Sequence, residues 1–314
     1  MKIVYMGTPA FAVPPLDVLH KSDHSVLACV TAPDRPAGRG RKLRSSDVKN
    51  YCLEHNIKIL QPERLQNEAF INELKSLEAD VFIVVAFRML PEIIWRIPPK
   101  GTINLHASLL PEYRGAAPIN WAIINGETRS GLTTFYINDK IDTGDILLQQ
   151  EIIIDHDDNF GSLHDKMMFA GGDLLIRTID NLDTIEGRTQ DLSKGVSKPA
   201  PKLSRENTVI DWNNTAVEVH NHIKGLNPFP GAWTELRING EPVQLKIFES
   251  EIADQNTESM PGAFRQINKN EVIVSCGSGS IKILKAQIQG KKAMTMAEIL
   301  RGYGDSFSAG EFIL

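Results

Sequence analysis

The chain has 314 residues, of which 42% are hydrophobic and 23% are charged, and its formal net charge is −5. The length suits two domains, and the composition is that of an ordinary soluble globular protein. A membrane-spanning protein is excluded, because no apolar stretch approaches the ~20 residues that a membrane helix needs. The chain runs from Met1 into a strand-like segment without the pattern of a signal peptide, so we expect a cytoplasmic protein.

The cysteines and histidines give no sign of a metal site. Cys29, Cys52 and Cys276 are odd in number and far apart, which suggests neither a disulfide framework nor a structural zinc site and indicates a reducing compartment. His220 and His222 resemble a ligand pair, but residues two apart on a helix do not face each other. We therefore predict no metal.

The first half of the chain alternates strand-like and helix-like segments. Short apolar runs predict strands at residues 3–6, 26–31, 58–60, 81–85 and 102–106, and helical patterns occur at residues 9–20, 47–55 and 63–77. This alternation predicts an α/β, Rossmann-like domain in which helices cover both faces of a parallel sheet. The first strand leads into Gly7-Thr8-Pro9 rather than GxGxxG, so a dinucleotide cofactor has no support.

The second half changes character after a polar stretch at residues 183–208, which is rich in Lys, Pro and Ser and is typical of a linker. Beyond it, β-like runs at residues 242–248, 272–276 and 280–284 predict a small, OB-like β-barrel. The predicted organisation is a catalytic domain at residues 1–188, a linker at residues 189–207 and a C-terminal domain at residues 208–314.

Two polar residues stand out at the predicted strand 102–106. Asn104 and His106 alternate with apolar residues, so their side chains lie on the same side, at the carboxyl end of a parallel strand where ligands bind in open α/β sheets. The amide can donate to a carbonyl oxygen that gains negative charge, and the imidazole can move a proton near neutral pH. A strand-capping role is the alternative, but the pairing before a Pro/Gly-rich loop favours catalysis.

A third candidate, Asp142, lies in a polar turn between strand-like runs at residues 132–137 and 146–154. A carboxylate close to His106 would orient the imidazole and favour its charged form. An Asp before Thr-Gly is also a common turn residue. The residues alone leave both interpretations open.

Three segments carry cations without any acid, at residues 35–44, 192–205 and 272–297, although the net charge is negative. The first lies in a loop that is too rich in Pro and Gly for a helix and too charged for a core. Arginine binds phosphate oxygens bidentately, so this loop suits a nucleic-acid backbone. A solvated surface loop is the alternative, and the residues alone do not decide between the two.

Residues 104–118 together with residues 141–145 resemble the signature of the folate-dependent formyltransferases. The resemblance implies 10-formyltetrahydrofolate as a co-substrate, without a metal. It also implies three catalytic roles: Asn104 polarises the formyl oxygen, His106 assists proton transfer, and Asp142 supports the histidine and the proton relay.

The same resemblance implies a folate site. Its residues are Ser108, Leu109, Leu110 and Pro111, joined by Phe87 and Leu90 from the segment that follows the strand at 81–85. In that segment the family often has Ala-Tyr-Gly before a Leu-Pro pair, whereas residues 86–91 here read AFRMLP. The chain therefore departs from the family pattern in the backbone that contacts the pterin ring.

Segments at residues 33–40, 114–119, 202–204, 210–212, 227–231 and 290–294 are similar to family members that act on an aminoacylated tRNA. This similarity implies formyl transfer to the α-amino group of methionyl initiator tRNA, for initiation of translation. It also implies RNA contacts at Arg35, Arg39, Arg41, Lys42, Lys291 and Lys292. We expect a monomer with these two substrates as partners and no membrane.

Other functions share part of this pattern. A formyltransferase for an amino-sugar nucleotide and a hydrolase that releases formate from the folate also carry Asn, His and Asp, but they need neither the basic loop nor the lysines at residues 282–292. A tRNA-binding protein with an inactive formyltransferase domain is disfavoured, because all three polar catalytic positions are present.

Overall fold

The computed structural model describes residues 1–37, 42–193, 198–238, 240–254, 260–307 and 309–312. The chain forms two compact units. The first contains Met1–Gly115, Ser130–Ile153 and His164–Pro199, and the second contains Ala116–Arg129, Ile154–Leu163 and Ala200–Leu314. The domain limits given above stay a prediction, and residues 194–197 of the predicted linker lie outside the described residues.

The elements follow one another along the chain as two groups. The first group is β1 (Lys2–Gly7), α1 (Val13–His20), β2 (Ser25–Val30), β3 (Arg35–Ala37), β4 (Lys42–Arg44), α2 (Asp47–Glu54), β5 (Ile59–Leu60), α3 (Glu68–Ser76), β6 (Val81–Val85), α4 (Glu92–Trp95), β7 (Thr102–His106), α5 (Pro118–Ile124), β8 (Arg129–Tyr136), β9 (Ile146–Ile153) and α6 (Phe160–Asp180). The second group is α7 (Ala216–Leu226), β10 (Ala232–Ile238), β11 (Glu241–Asp254), β12 (Ala263–Asn268), β13 (Glu271–Ser275), β14 (Ser280–Ile288), β15 (Met294–Thr295), α8 (Met296–Tyr303) and β16 (Ala309–Glu311).

The first unit contains a seven-stranded sheet in the order β5-β2-β1-β6-β7-β8-β9. The five strands from β5 to β7 are parallel, whereas β8 runs antiparallel to β7. The predicted Rossmann-like domain is confirmed, but its sheet is mixed rather than purely parallel. The reason is that the segment at residues 107–128 reverses the chain, and strand propensity carries no information about strand direction.

A buried core holds the sheet against its helices, and two of those helices differ from the predicted elements. The buried side chains shared by β1, β6 and α3 are Val4, Met6, Phe82, Val84, Phe70, Ile71 and Leu74. Helix α3 begins at Glu68, later than predicted, because the side chain of Asn67 accepts the backbone N–H of Phe70 and caps the helix. Helix α6 is absent from the predicted elements, since Gly171 and Gly172 lower helix propensity.

The two glycines of α6 are required by close packing. A Cβ atom at Gly171 would lie 2.8 Å from Cδ2 of Leu105 in β7, and one at Gly172 would lie 2.6 Å from Cγ2 of Val18 in α1. Both distances are too short for a real contact, so glycine lets α6 approach β7 and α1. Helix stability here comes from tertiary packing rather than from propensity.

The second unit contains an antiparallel sheet in the order β10-β11-β14-β13-β12-β16, with β15 paired to β14. The predicted small β-barrel domain is confirmed as a fold class. Helices α7 and α8 were not predicted, although each begins with a Thr-x-x-Glu capping box, formed by Thr215 with Glu218 and by Thr295 with Glu298. The buried faces of these helices join a core that includes Trp212, Ile223 and Phe307.

Candidate active site

The candidate active site lies at the carboxyl end of β7 in the first unit. Asn104 pairs with Val84 of β6, and His106 ends β7 opposite Thr133 of β8. Asn104 is half-buried, and His106 is buried. Among the residues that the structure describes, none hydrogen-bonds to the carboxamide of Asn104, so its two N–H groups are available to a ligand.

The loop after β7 holds the imidazole of His106. Its Nε2 lies 2.9 Å from the carbonyl oxygen of Tyr113. A carbonyl oxygen can only accept, so Nε2 carries the hydrogen, and in the neutral ring the lone pair is on Nδ1. Phe135 meets the imidazole edge-on, with ring centroids 6.4 Å apart. The fold thereby sets both the tautomer and the plane of the ring.

Asp142 lies on the Nδ1 side of this imidazole, in the turn between β8 and β9. Its Oδ2 is 3.9 Å from Nδ1 of His106 and accepts the backbone N–H of Gly115 at 2.9 Å. A separation of 3.9 Å is too long for a hydrogen bond, so the two groups interact through charge or through a group between them. Asp142 is thus both a turn residue and a neighbour of the imidazole.

The turn around Asp142 depends on residues of the loop after β7. Asp142 has a φ of 52°, in the left-handed region, which costs a non-glycine residue on the order of 1 kcal/mol. Its carbonyl oxygen accepts Nε–H of the buried Arg114 at 3.0 Å. Tyr113, Arg114 and Gly115 are not among the predicted site residues. The signal that could have found them is their position inside the motif at residues 104–118.

A cavity of about 830 Å³ opens between the segments that follow β6 and β8. Its wall includes Arg88, Met89, Leu90, Asn138 and Asp139. Of the two predicted folate residues in the segment after β6, Leu90 lines the cavity, whereas Phe87 packs against the core of β1, β6 and α3. Asn104, His106 and Asp142 are not among the described residues that line this cavity.

The predicted folate segment at residues 108–111 is anchored to β8 and β9. Oγ of the buried Ser108 donates to the carbonyl of Glu112, and the backbone N–H of Leu110 donates to Oγ1 of Thr133. The side chain of Leu110 is buried, Leu109 is half-buried and Pro111 is exposed. These contacts fix the course of the loop beside His106.

The basic loop predicted near residue 35 contains a small hairpin. Arg35 pairs with Arg44 and Ala37 pairs with Lys42 across β3 and β4. Composition alone missed this pairing, because both strands are short and contain Pro or charged residues. Arg35 is exposed, and Arg39 and Arg41 lie outside the described residues.

The base of this hairpin is fixed to the first unit. Nζ of Lys49 lies 2.6 Å from Oδ2 of Asp34, and the hydroxyls of Thr31 and Ser46 are 2.7 Å apart. The hydrogen bond from Lys49 lowers the pKa of Asp34.

The four lysines of the basic segment at residues 272–297 differ in whether they form salt bridges. Lys282 lies 2.7 Å from Glu251, and Lys285 lies 3.2 Å from Glu249, so their charges are compensated within the sheet. Lys291 and Lys292 are exposed after β14. Of these four described lysines, the second pair makes no salt bridge to a described acid, although the charge of Lys292 acts on Glu298 at the start of α8.

The described residues form neither a metal-binding group nor a membrane-spanning helix. Within the described ranges, no three His, Cys, Asp or Glu side chains group so as to hold a metal ion. No described helix combines the length and the apolar character needed to cross a membrane.

The sequence matches two family models, which give the class of protein that this fold and site define. Residues 1–179 match the family Formyl transferase, and residues 202–304 match Formyl transferase, C-terminal domain. The chain belongs to the formyltransferase family.

Curated relatives extend over almost the whole chain. A methionyl-tRNA formyltransferase of Bacteroides fragilis is 46% identical over 310 residues, covering 96% of this chain and 95% of the relative. A methionyl-tRNA formyltransferase of Flavobacterium johnsoniae is 46% identical over 308 residues and covers 96% of both chains. The similarity thus includes both units.

Solved structures show the same fold at lower identity. The sugar 3N-formyl transferase WlaRD has a TM-score of 0.65 at 23% identity, covering 93% of this chain and 99% of its own. HypX from Aquifex aeolicus has a TM-score of 0.65 at 14% identity, covering 98% of this chain and 48% of its own. At these identities the likeness concerns the fold alone.

Proposed function

We propose that the chain transfers the formyl group of 10-formyltetrahydrofolate to the α-amino group of methionyl initiator tRNA, for initiation of translation. One observation carries the proposal: an amide with no partner among the described residues, an oriented imidazole and a neighbouring carboxylate lie at the carboxyl end of β7. The chain is a formyltransferase whose relatives at 46% identity are methionyl-tRNA formyltransferases. We further propose that the enzyme is monomeric and works in the cytoplasm.

Asn104 acts on the formyl oxygen. The folate supplies an activated formyl carbon, and the attacking group is a neutral amine, which an α-amino group with a pKa near ~8 provides at physiological pH. As the amine attacks, negative charge develops on the formyl oxygen. The N–H groups of Asn104 donate to that oxygen without first breaking a hydrogen bond to any described residue.

His106 receives the proton that the attacking nitrogen must lose. Its Nε2–H is held by Tyr113, so the lone pair of Nδ1 is the one that can accept a proton. The carboxylate of Asp142, 3.9 Å from Nδ1, stabilises the imidazolium that forms. The bond between the formyl carbon and N10 of the folate then breaks, N10 takes the proton, and tetrahydrofolate leaves. Because Oδ2 also accepts the N–H of Gly115, the carboxylate is oriented before the substrates bind.

The cavity between the segments after β6 and β8 suits the folate. It combines apolar side chains, such as Leu90 and Trp95, with polar ones, such as Asn138 and Asp139. A flat ring with a hydrogen-bonding edge needs such a combination. In this proposal Leu90 contacts the ring, Phe87 supports the wall from the core side, and residues 108–111 border the formyl end.

The tRNA contacts are assigned to cations of each unit. They are the exposed Arg35, Lys291 and Lys292. The proposal also includes Arg39, Arg41 and Lys42, which belong to the same basic stretch of sequence as Arg35. Lysine and arginine contacts to phosphates supply most of the sequence-independent affinity for nucleic acid.

The test is a formyl-transfer assay with 10-formyltetrahydrofolate and three acceptors in parallel: charged initiator tRNA, charged elongator tRNA and an amino-sugar nucleotide. We expect formylation of the initiator tRNA only. Transfer to the sugar nucleotide, or formate release that is independent of any acceptor, would replace the proposal by one of the alternatives.

A further inference from the structure

Gln190 lies outside both matched family regions and within the stretch predicted to be a linker. It is nevertheless only 5% exposed, and its side chain contacts the turn of Asp142. We propose that Gln190 is a positioning residue, which holds the carboxylate of Asp142 in place for formyl transfer. The inference rests on the proposed function and adds a residue to the same site.

The amide of Gln190 makes three hydrogen bonds around the turn. Its Nε2 donates to the carbonyl oxygens of Asp142 at 3.1 Å and Gly144 at 2.7 Å, and its Oε1 accepts Nη2–H of Arg114 at 2.5 Å. A carbonyl only accepts and a guanidinium only donates, so the chemistry of the partners determines which way the amide points. A side chain with two donors and one acceptor is needed at this position.

The turn needs these donors because its backbone is contorted. Asp142 has a left-handed φ of 52°, and a Cβ atom at Gly144 would lie 1.6 Å from the carbonyl oxygen of Tyr136. The chain therefore folds tightly back on the end of β8. Buried carbonyl groups in such a turn require hydrogen-bond donors, and Gln190 supplies one to each.

Gln190 is itself held from outside the turn. The backbone of Arg188 exchanges two hydrogen bonds with Ile146 at the start of β9, at 2.8 and 2.9 Å. A Cβ atom at Gly187 would lie 3.1 Å from Cβ of Asp145, so this segment also packs closely on the turn. Residues 187–190 thus bridge β9 and the turn, and they bring the amide to the Asp142 carbonyl.

The effect on chemistry comes through the carboxylate. The main chain of Asp142 is held by Gln190 and Arg114, and its side chain then lies 3.9 Å from Nδ1 of His106. Displacement of a catalytic group by ~1 Å can slow a reaction by ~100-fold. Removal of the Gln190 donors should therefore lower kcat and leave substrate binding almost unchanged.

The experiment compares Gln190→Ala and Gln190→Glu with the wild-type chain. Glutamate still accepts from Arg114 but has neither donor, so we expect both variants to lower kcat by ~10-fold to ~100-fold, with each KM changed by less than about two-fold. Gln266→Glu is the matched control, because Gln266 also donates to a backbone carbonyl, that of Asn268, in the second unit. Its rate should equal that of the wild type.

A double-mutant cycle separates positioning from general destabilisation. Asn tolerates the left-handed region, so Asp142→Asn retains the turn and removes the charge. Under single-turnover conditions, Gln190→Ala should lower the residual rate of Asp142→Asn far less than it lowers the wild-type rate. Ile3→Val changes a fully buried core residue of β1. Its rate therefore shows how much a loss of stability alone slows formyl transfer.

The inference would be overturned if Gln190→Ala lowered the rate by the same factor in the wild type and in Asp142→Asn. It would also be overturned if Gln190→Ala lowered the rate no more than Ile3→Val does when the two variants have the same Tm. If the wild-type chain transferred no formyl group to initiator tRNA in the same assay, the proposed function would fail instead.

Discussion

Asn104 and His106 are held in different ways by the folded chain. The imidazole is fixed by the carbonyl of Tyr113, whereas the amide of Asn104 has no hydrogen-bond partner among the described residues. A half-buried amide without a protein partner costs the free protein little stability, because solvent can still hydrogen-bond to it. It is therefore ready to donate to a substrate oxygen.

We expect Asn104→Ala and His106→Ala each to lower kcat by ~100-fold or more. Loss of one donor to a developing oxyanion costs ~100-fold to ~1,000-fold, and a positioned general base contributes ~100-fold to ~10,000-fold. Affinity for tRNA should hardly change, because neither residue belongs to the basic segments. Single-turnover formylation and tRNA binding by fluorescence anisotropy measure the two effects.

His156→Ala is the matched control for this pair, because the His156 side chain is 95% exposed. Its rate should equal that of the wild type. Full activity of either Asn104→Ala or His106→Ala would rule out the proposed role of that residue.

The helices of the second unit show how a few side chains set the beginning of an element. In α7 the hydroxyl of Thr215 accepts the backbone N–H of Glu218, and the carboxylate of Glu218 accepts the backbone N–H of Thr215. The same reciprocal pair begins α8 at Thr295. Such a capping box satisfies backbone donors that a helix leaves open at its start.

Thr215→Ala should therefore lower the free energy of unfolding by about 1 kcal/mol, the usual contribution of a cap. Urea unfolding followed by circular dichroism measures the change. Val217→Ala, at an exposed position of the same helix, should change stability by less than ~0.5 kcal/mol. Equal effects of the two substitutions would mean that the cap contributes nothing specific.

Helix α7 also contains a pH-sensitive residue. Burial, followed by the charges of Lys224 and His156, lowers the pKa of His220 to about 4. In the unfolded chain a histidine titrates near ~6.5, so between pH ~6.5 and ~4 the unfolded state binds more protons. Stability is therefore greatest above pH ~6.5 with respect to this group, and it falls as the pH drops towards 4.

His220→Gln should reduce that acid-induced loss, because glutamine does not titrate and can still reach the hydroxyl of Ser250, 3.0 Å from Nδ1 of the histidine. Thermal unfolding at pH 7.5 and pH 4.5 tests this difference. We expect a smaller fall in Tm for the variant than for the wild type. Parallel Tm curves would show that His220 does not contribute.

At the scale of the whole molecule, the distribution of charge decides whether the protein can bind a polyanion more than the net charge of −5 does. The four lysines after residue 280 divide into two that face glutamates and two that are exposed. The hydrogen bond with Glu251 raises the pKa of Lys282, which remains paired as a cation. An acidic protein can therefore offer a basic surface where its cations are exposed and make no salt bridge to a described acid.

The double variant Lys291→Ala/Lys292→Ala should weaken tRNA binding. It should also reduce the slope of the logarithm of the binding constant against the logarithm of the salt concentration, by ~0.7 to ~0.9 for each phosphate that the protein no longer neutralises. Lys282→Ala/Lys285→Ala removes the same charge from paired positions and should change the slope less. Binding titrations between low and moderate salt compare them. A larger effect of the paired lysines would contradict the assignment.

Local sequence by itself determined the elements whose signal lies in neighbouring residues. The apolar run of β6 and the alternation in β7 predicted both strands with the limits that the structure has, Val81–Val85 and Thr102–His106. Period-2 geometry also predicted that Asn104 and His106 share a side. The family followed from motifs of the same local kind, while the roles of the individual residues stay predictions.

Only the tertiary structure decided what depends on distant parts of the chain. The direction of β8, the helix that includes Gly171 and Gly172, and the position of Asp142 beside His106 all result from packing between remote segments. Gln190 had no local signal at all, because its partners, Arg114 and Asp142, are far from it in sequence. Neighbouring residues encode local conformation, but a distance between remote side chains exists only once every intervening element has packed.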